Sequence, residues 1–412
     1  MTRAMKDSGI EWIGEIPEDW KLPKVKQLFS IGRGRVISQL DLEDTGYPVY
    51  SSQTKNNGCL GYISTYDFDR SQLTWTTDGA NAGTVFLREG KHNCTNVCGT
   101  LTPKNDENSL LYLKYALEYI VIYHKRADIN GFKIMNNEMA EIKVTLPSMP
   151  EQQKIADFLD EKCSHIDSVL EKVRASIDEY KQLKQSVITQ AVTKGIKPNR
   201  PMKDSGIEWI GEIPQDWSIS KIKFVAKFNP QYTVQTKEND IVTFAPMECI
   251  KNGYCNSKEA VFQSSNNSYT PFQEGDIVIA KVTPCFENGN IAIMENLSSG
   301  YGYGSSELFV LRPFNIQTRF LFYYLQNESF KKIGCSTMTG TGGLKRVSPT
   351  FVQNYPIPHF NKTEQNDIVN YLDVKCAEID KLITKKEQLI EELETYKKSL
   401  IYEYVTGKKE VK

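Results

Sequence analysis

Met5 to Trp20 reads MKDSGIEWIGEIPEDW, and Met202 to Trp217 reads MKDSGIEWIGEIPQDW. Only Glu18 against Gln215 differs across these sixteen positions, and each copy carries two tryptophans. Chance does not produce such a match, so the chain is built from a repeated unit. A second repeat lies further along. Glu151-Gln152, Ile155, Leu159-Asp160, Lys162-Cys163 and Ile166-Asp167 return as Glu364-Gln365, Ile368, Leu372-Asp373, Lys375-Cys376 and Ile379-Asp380. The register holds to the end, where Ser186, Ile188, Val192 and Thr193 match Ser399, Ile401, Val405 and Thr406.

The second repeat has the period of a helix. Ile155, Leu159, Cys163, Ile166, Leu170, Val173, Ile177, Tyr180, Leu183, Val187 and Ala191 fall at steps of three or four, as one helical face requires. The later copy gives Ile368, Leu372, Cys376, Ile379, Ile383, Ile390, Leu393, Tyr396, Leu400 and Tyr404, with Lys386 standing where the first copy has Val173. No glycine or proline interrupts either segment, and Gly195 and Gly407 fit C-terminal stops. Helices of about forty residues are about 60 Å long, too long for an ordinary globular core. Their length and matched register favour an antiparallel coiled coil over two independent core helices.

Between heads and helices lie two unlike middles, roughly Lys21 to Pro150 and Ser218 to Thr363. Leu73 to Thr77, Asp276 to Val282, Ile291 to Met294 and Glu307 to Leu311 read as strands. Ser109 to Arg126 and Thr318 to Ile333 read as helices with Ser109 and Thr318 as N-caps. The expected fold class is α+β: two pseudo-repeated domains, 1–150 and 202–363, separated by long helices at 151–196 and 364–407. A frame kept constant around differing inserts suits a constant partner geometry with variable targets, and two copies suit a two-fold arrangement.

At 412 residues the chain is too long for one ordinary domain, and 40% apolar residues suffice for packed cores. No run of about eighteen apolar residues exists, so no membrane span is expected. No hydrophobic stretch follows Met1 to Asp7, and nine cysteines form no regular framework, so a reduced, cytoplasmic protein is expected. A net charge of −1 excludes a simple basic nucleic-acid coat and leaves DNA binding to local patches.

The chain resembles the specificity subunits of type I restriction-modification systems over nearly its whole length. The resemblance rests on the GIEWIGEIP-x-DW heads, Leu146-Pro147 with Glu151 to Ile155, Pro356-Ile357-Pro358 with Glu364-Gln365, and Lys397 to Ile401 before Val405-Thr406-Gly407. The middles resemble target-recognition domains at Tyr50 to Thr54, Thr76 to Thr84, Gly275 to Pro284 and Gly340 to Val347. The resemblance implies a non-catalytic DNA reader of an asymmetric, interrupted double-stranded site. It implies two modification subunits that bind S-adenosylmethionine and methylate adenine, and two motor-nuclease subunits that use ATP and Mg. It also implies that the long helices act as the spacer. No cofactor is expected on this chain. The alternatives are a coiled-coil scaffold with two protein-binding domains, and a methyltransferase or fused restriction–methylation system.

No catalytic set stands out. Asn229-Pro230-Gln231-Tyr232 is similar to an Asn-Pro-Pro-Tyr/Phe amino-methylation motif but has the wrong third residue, and reads as a turn. Gly340 to Lys345 fails the phosphate-loop spacing and has Arg346 where Ser or Thr belongs, so it reads as a flexible loop near a DNA phosphate. His92, Cys94 and Cys98, even with Cys59, lack a metal-knuckle spacing and read as buried thiols. Ser52, Gln53, Thr54, Lys55 and Asn56 carry groups that hydrogen-bond base edges, as does any polar surface loop. With the resemblance, they join Arg33, Arg35, Asn81 and Lys133 as DNA-binding candidates of the first domain. Lys281, Thr283, Glu287, Asn288, Ser305, Lys345 and Arg346 are those of the second. Trp12, Trp20, Trp209 and Trp217, belonging to the constant frame, read as packing anchors.

Overall fold

The computed structural model describes residues 3–129, 131–230, 237–263, 268–341 and 343–411. Both head phrases fold alike. Met5–Asp7 pairs antiparallel with Glu15–Pro17, and Met202–Asp204 with Glu212–Pro214 in the same register. Each turn starts where an Asp Oδ1 (Asp7, Asp204) accepts a hydrogen bond of 2.9 Å from the amide of the glycine two residues on, and that glycine has positive φ. Ile13, Ile16 and Trp20 are buried, as are Ile210, Ile213 and Trp217.

The chain divides into two units, Met1–Arg174 with Glu387–Lys412, and Ala175–Lys386. Each unit holds a middle domain and a stretch of both long helices. In the first, one sheet runs Phe29–Arg33, Cys98–Pro103, Gln72–Thr76, Val85–Arg88, all antiparallel. A second runs Cys59–Ile63, Tyr47–Tyr50, Lys91–Cys94, Phe68–Asp69, with its middle pair parallel. The second unit repeats both sheets with unlike residues. Ala226–Phe228, Leu308–Pro313, Ile277–Ala280 and Ile291–Ile293 form one, and Lys258–Val261, Ile241–Ala245, Tyr301–Gly304 and Thr270–Gln273 the other.

Alternation explains how the sheets are packed. Leu73 and Trp75 face a core shared with Tyr112, Ala116 and Ile120 of the helix Leu110–Ile120. Ile277 and Ile279 face the equivalent core with Phe320 and Tyr324. On the other face, Val278 and Ala280 join Val310, Leu308 and Met294 in a small apolar cluster. Its first-domain counterpart is polar, with Thr74, Thr76, Thr100, Arg88, His92 and Asn93 all buried.

The helices differ from expectation at their ends. Ser109 caps as predicted, accepting from the Tyr112 amide at 3.3 Å. The helix, however, ends in a 3-10 turn, Val121–Tyr123, and Arg126 starts a strand, Arg126–Asp128. The helix predicted from Thr318 to Ile333 is two helices, Thr318–Leu325 and Glu328–Ser336. Gln317, not Thr318, caps the first, and the Asn327 side chain caps the second, which breaks the run there.

The long helices run Met149–Lys194 and Lys362–Val405. They are antiparallel within each unit. In the first, Lys397 pairs with Asp167 and Arg174 with Glu394; in the second, Lys184 pairs with Asp380, each at 2.7 Å. The apolar stripe is buried from Ile155 to Ile177, but Leu183 is 48% exposed and Tyr396 57%. Further along, burial moves to Ile188, Ala191 and Val192, because a 3.6-residue turn carries a fixed stripe round the helix relative to a 3.5-residue seam. Lys386 lies over the Tyr180 ring at 5.5 Å. Among the described residues no helix is long and apolar enough to cross a membrane.

Candidate nucleic-acid interface

One short turn organises each candidate face. In the first domain it is Thr95 to Val97. The Thr95 amide donates to the Tyr50 carbonyl (2.8 Å), the Cys98 amide to the Thr95 carbonyl (2.9 Å), and the Thr77 amide to the Val97 carbonyl (3.2 Å). In the second it is Ser305 to Glu307, with Ser305 to Ala245 (3.2 Å), Leu308 to Ser305 (3.2 Å) and Lys281 to Glu307 (3.0 Å). The Ile134 and Val347 amides donate to the Thr77 and Lys281 carbonyls. The scaffold is therefore the same while its side chains change: Thr77, Val97 and Lys133 in one domain, Lys281, Glu307 and Arg346 in the other.

In the second domain Lys281 and Arg346 meet at Glu307. Arg346 donates to it through Nε (2.9 Å) and Nη2 (2.6 Å), and Lys281 Nζ lies 3.7 Å away. The Arg346 guanidinium holds the Glu307 carboxyl below the usual carboxylate range. Thr283 Oγ1 donates to the Gly343 carbonyl (2.7 Å) and accepts from the Lys345 amide (3.0 Å). The stretch expected to be a flexible loop is thus a correction: Thr339–Thr341 pairs with Leu344–Arg346 in a docked hairpin, because Gly343, at φ +81, permits the tight return. The Lys345 side chain has no ion pair among the described residues, and Ser305 Oγ accepts from the Glu307 amide. Glu287 and Asn288 are exposed, on the segment after Pro284.

In the first domain the candidates spread around the turn. Arg35 Nε is shared between the two Asp67 carboxylate oxygens (3.1 and 3.0 Å), and the Arg35 backbone forms a β-bridge with Thr95. Ser51, beside Ser52, accepts from Thr95 Oγ1, and Gln53 Nε2 donates to the Cys59 carbonyl. Thr54, Lys55 and Asn56 are exposed, as is Asn81. Lys133 pairs with Asp128 at 3.0 Å. Arg33 turns away to Asn136 and Met135. Of the suggested metal group, Cys94 and Cys98 are buried and Cys59 half-buried. The His92 nitrogens face Gln72 Nε2 (2.9 Å) and the Gly90 carbonyl (2.8 Å). Asn130, Gln231, Tyr232 and Gly342 lie outside the described residues.

Both faces are fixed to the frame by matching clamps. Arg3 joins Glu151 and Asp19, and Arg200 joins Glu364 and Asp216. Trp20 Nε1 donates to Glu151 (3.1 Å), whereas Trp217 stacks on Phe360 at 3.7 Å. Gln152 Oε1 accepts from the Ser109 amide (2.9 Å) and its Nε2 donates to the Pro147 carbonyl (2.9 Å). Gln365 does the same with the Gln317 amide and the Phe360 carbonyl, both at 2.8 Å. Tyr115 donates to Asp160 (3.0 Å) and Tyr323 to Asp373 (2.6 Å). Only their place, two residues before each repeated Met, marks Arg3 and Arg200 in the sequence.

A family model described as type I restriction modification DNA specificity domain matches residues 17–177 and again 214–395. The specificity subunit of the type I restriction enzyme EcoAI of Escherichia coli is 32% identical over 249 residues, which is 59% of this chain and 39% of that one. The chain thus spans about two-fifths of that relative's length. The MjaVIII specificity subunit of Methanocaldococcus jannaschii is 26% identical over 422 residues, covering 96% of this chain and 94% of its own. A solved chain from a study of assembly and conformational transition in the type I system aligns with TM-score 0.67 over 95% of this chain and 99% of that one. At 13% identity it speaks for the fold.

Proposed function

The chain belongs to the type I restriction modification DNA specificity family, and on that premise we propose that it is a non-catalytic reader of double-stranded DNA. Each middle domain reads one half of an asymmetric, interrupted site. Two modification subunits carry S-adenosylmethionine and methylate adenine; two motor-nuclease subunits bring ATP and Mg. The long helices are the spacer between readers, and the protein works in the cytoplasm. The observation that carries this reading is the shared scaffold with exchanged side chains. The same backbone hydrogen bonds present Lys281, Glu307 and Arg346 in one domain and Thr77, Val97 and Lys133 in the other. A protein that reads two different half-sites needs that arrangement, because base-edge contacts specify and the scaffold only positions them.

The test is to supply the chain with its modification subunits and sequence the methylated motif. A bipartite adenine-methylated motif is expected, and none from the chain alone. Methyl transfer by the pure polypeptide would favour a fused enzyme. Absence of a DNA footprint in the complete complex would favour the scaffold reading.

A further inference from the structure

The first domain contains a fully buried arginine where the second has a methionine. Strand register establishes the match. Leu73 lies opposite Leu87 as Ile277 lies opposite Ile293. The next pair is Gln72 with Arg88, and in the second domain Asp276 with Met294, whose amide donates to the Asp276 carbonyl at 2.8 Å. Thr74 likewise matches Val278. Tyr50 matches Ala245, since each carbonyl accepts from the turn amide of Thr95 or Ser305. Ala245, Val278 and Met294 form an apolar cluster, so packing alone is satisfied there without a charge.

Arg88 does more than fill space. It is 1% exposed and has no carboxylate partner among the described residues, an arrangement that burial disfavours. Desolvation lowers its pKa accordingly. The guanidinium lies over the Tyr50 ring at 3.6 Å and the Phe86 ring at 4.3 Å. Nε donates to Thr74 Oγ1 (3.1 Å) and Nη1 to the Asn57 carbonyl (2.6 Å). Nη2 has no hydrogen-bond partner among the described residues, and a Cβ on Gly58 would come within 2.8 Å of it. Asn57 belongs to a run of three left-handed residues: Asn56 at φ +49, Asn57 at +51 and Gly58 at +78. Such a run is unfavourable for L-residues and needs outside support. Its outer side exposes Thr54, Lys55, Asn56 and Asn57.

We propose that Arg88 is a positioning residue for DNA reading: from inside the domain it holds the Asn56–Gly58 turn so that Lys55, Asn56 and Asn57 meet the first half-site in one conformation. This rests on the DNA-reading function proposed above. The second domain, with Met294, holds its corresponding loop by apolar packing of Met247 and Ile250.

The test uses the complete complex with its modification subunits and compares wild type with Arg88→Met, Arg88→Lys and Thr74→Val. Arg88→Met and Thr74→Val install the residues that the second domain carries. Arg88→Met should lower discrimination against single mismatches in the first half-site by about tenfold. The second half-site should stay unchanged. KM for cognate DNA should rise while kcat holds, because the turn is reordered on binding. Arg88→Lys should recover part of the discrimination, and Thr74→Val, which frees only Nε, should lose less than Arg88→Met. If Arg88→Met does not fold, Arg88→Lys and Thr74→Val still read the first half-site. Unchanged first-half discrimination in the folded variants, or equal loss in both halves, overturns the role of Arg88 alone. A wild-type complex that methylates no bipartite motif overturns the functional reading and this inference together.

Discussion

Gln152 ties the first long helix to the first recognition domain, and Gln152→Ala tests how firmly. The side chain is 1% exposed. It accepts from the Ser109 amide (2.9 Å) and donates to the Pro147 carbonyl (2.9 Å) and to Asn108 Oδ1 (3.1 Å). Truncation leaves the first two backbone groups buried and unpaired, at about 1–3 kcal/mol each. Asn108 can turn to water. The expected loss is therefore about 3 kcal/mol in the first unit, a further opening of about a hundredfold. Native-state hydrogen exchange reads this at the Leu113 amide, which donates to the Ser109 carbonyl in the first turn of Leu110–Ile120. Its exchange should quicken by that factor, with second-unit amides unaffected. Gln152→Glu keeps the acceptor but turns a carboxylate toward the Pro147 carbonyl, so it should be at least as harmful at neutral pH and recover on acidification. A Gln152→Ala protein whose Leu113 amide stays within threefold of wild type, or one loosened equally in both units, would show that Gln152 does not tie this helix to this domain.

Glu307→Gln keeps the shape but removes the charge facing Lys281 and Arg346, so non-specific DNA affinity should rise and its salt dependence should steepen by about one to two in log–log slope; anisotropy titrations over a salt series check this, and an unchanged slope counts against that face meeting phosphates. Burial pushes the Cys163 and Cys376 thiols up to about 11. At pH 8 the native protein should therefore alkylate there about two orders of magnitude more slowly than unfolded thiols, as mass spectrometry of iodoacetamide-treated protein would show. The sign follows from the neutral thiol being the buried form: this stabilisation is complete below the unfolded thiol pKa and is lost as pH rises toward about 11, so thermal stability should fall on the alkaline side.

The frame was legible because its signals are local. The head phrase carries its own turn residues and apolar anchors, and the helices carry a 3.6-residue apolar period broken only at Lys386 of the second. The break at Asn327 was hidden because Phe320 to Tyr324 and Phe330 keep an apolar period across it, while the cap is a single side-chain contact. The candidate face was legible only by residue type. Lys281 and Arg346 look like free cations in the sequence, yet topology brings Glu307 between them from 39 positions before Arg346. Arg88 carries no signal at all in its own strand; its meaning arises from register with Tyr50 and Thr74 and from the contrast with Met294. The two glutamines at the start of the long helices were visible as repeats, but the amides they accept from lie 43 and 48 residues upstream and could not be read from spacing.

Domain exchange separates one constant frame with two independent readers from a single composite reader. Residues 21–150 are replaced by the corresponding domain of another family member, and the methylated motif of the complete complex is sequenced before and after. With independent readers the first half-site changes and the second is retained base for base. A change in both halves, or in neither, rules independent readers out.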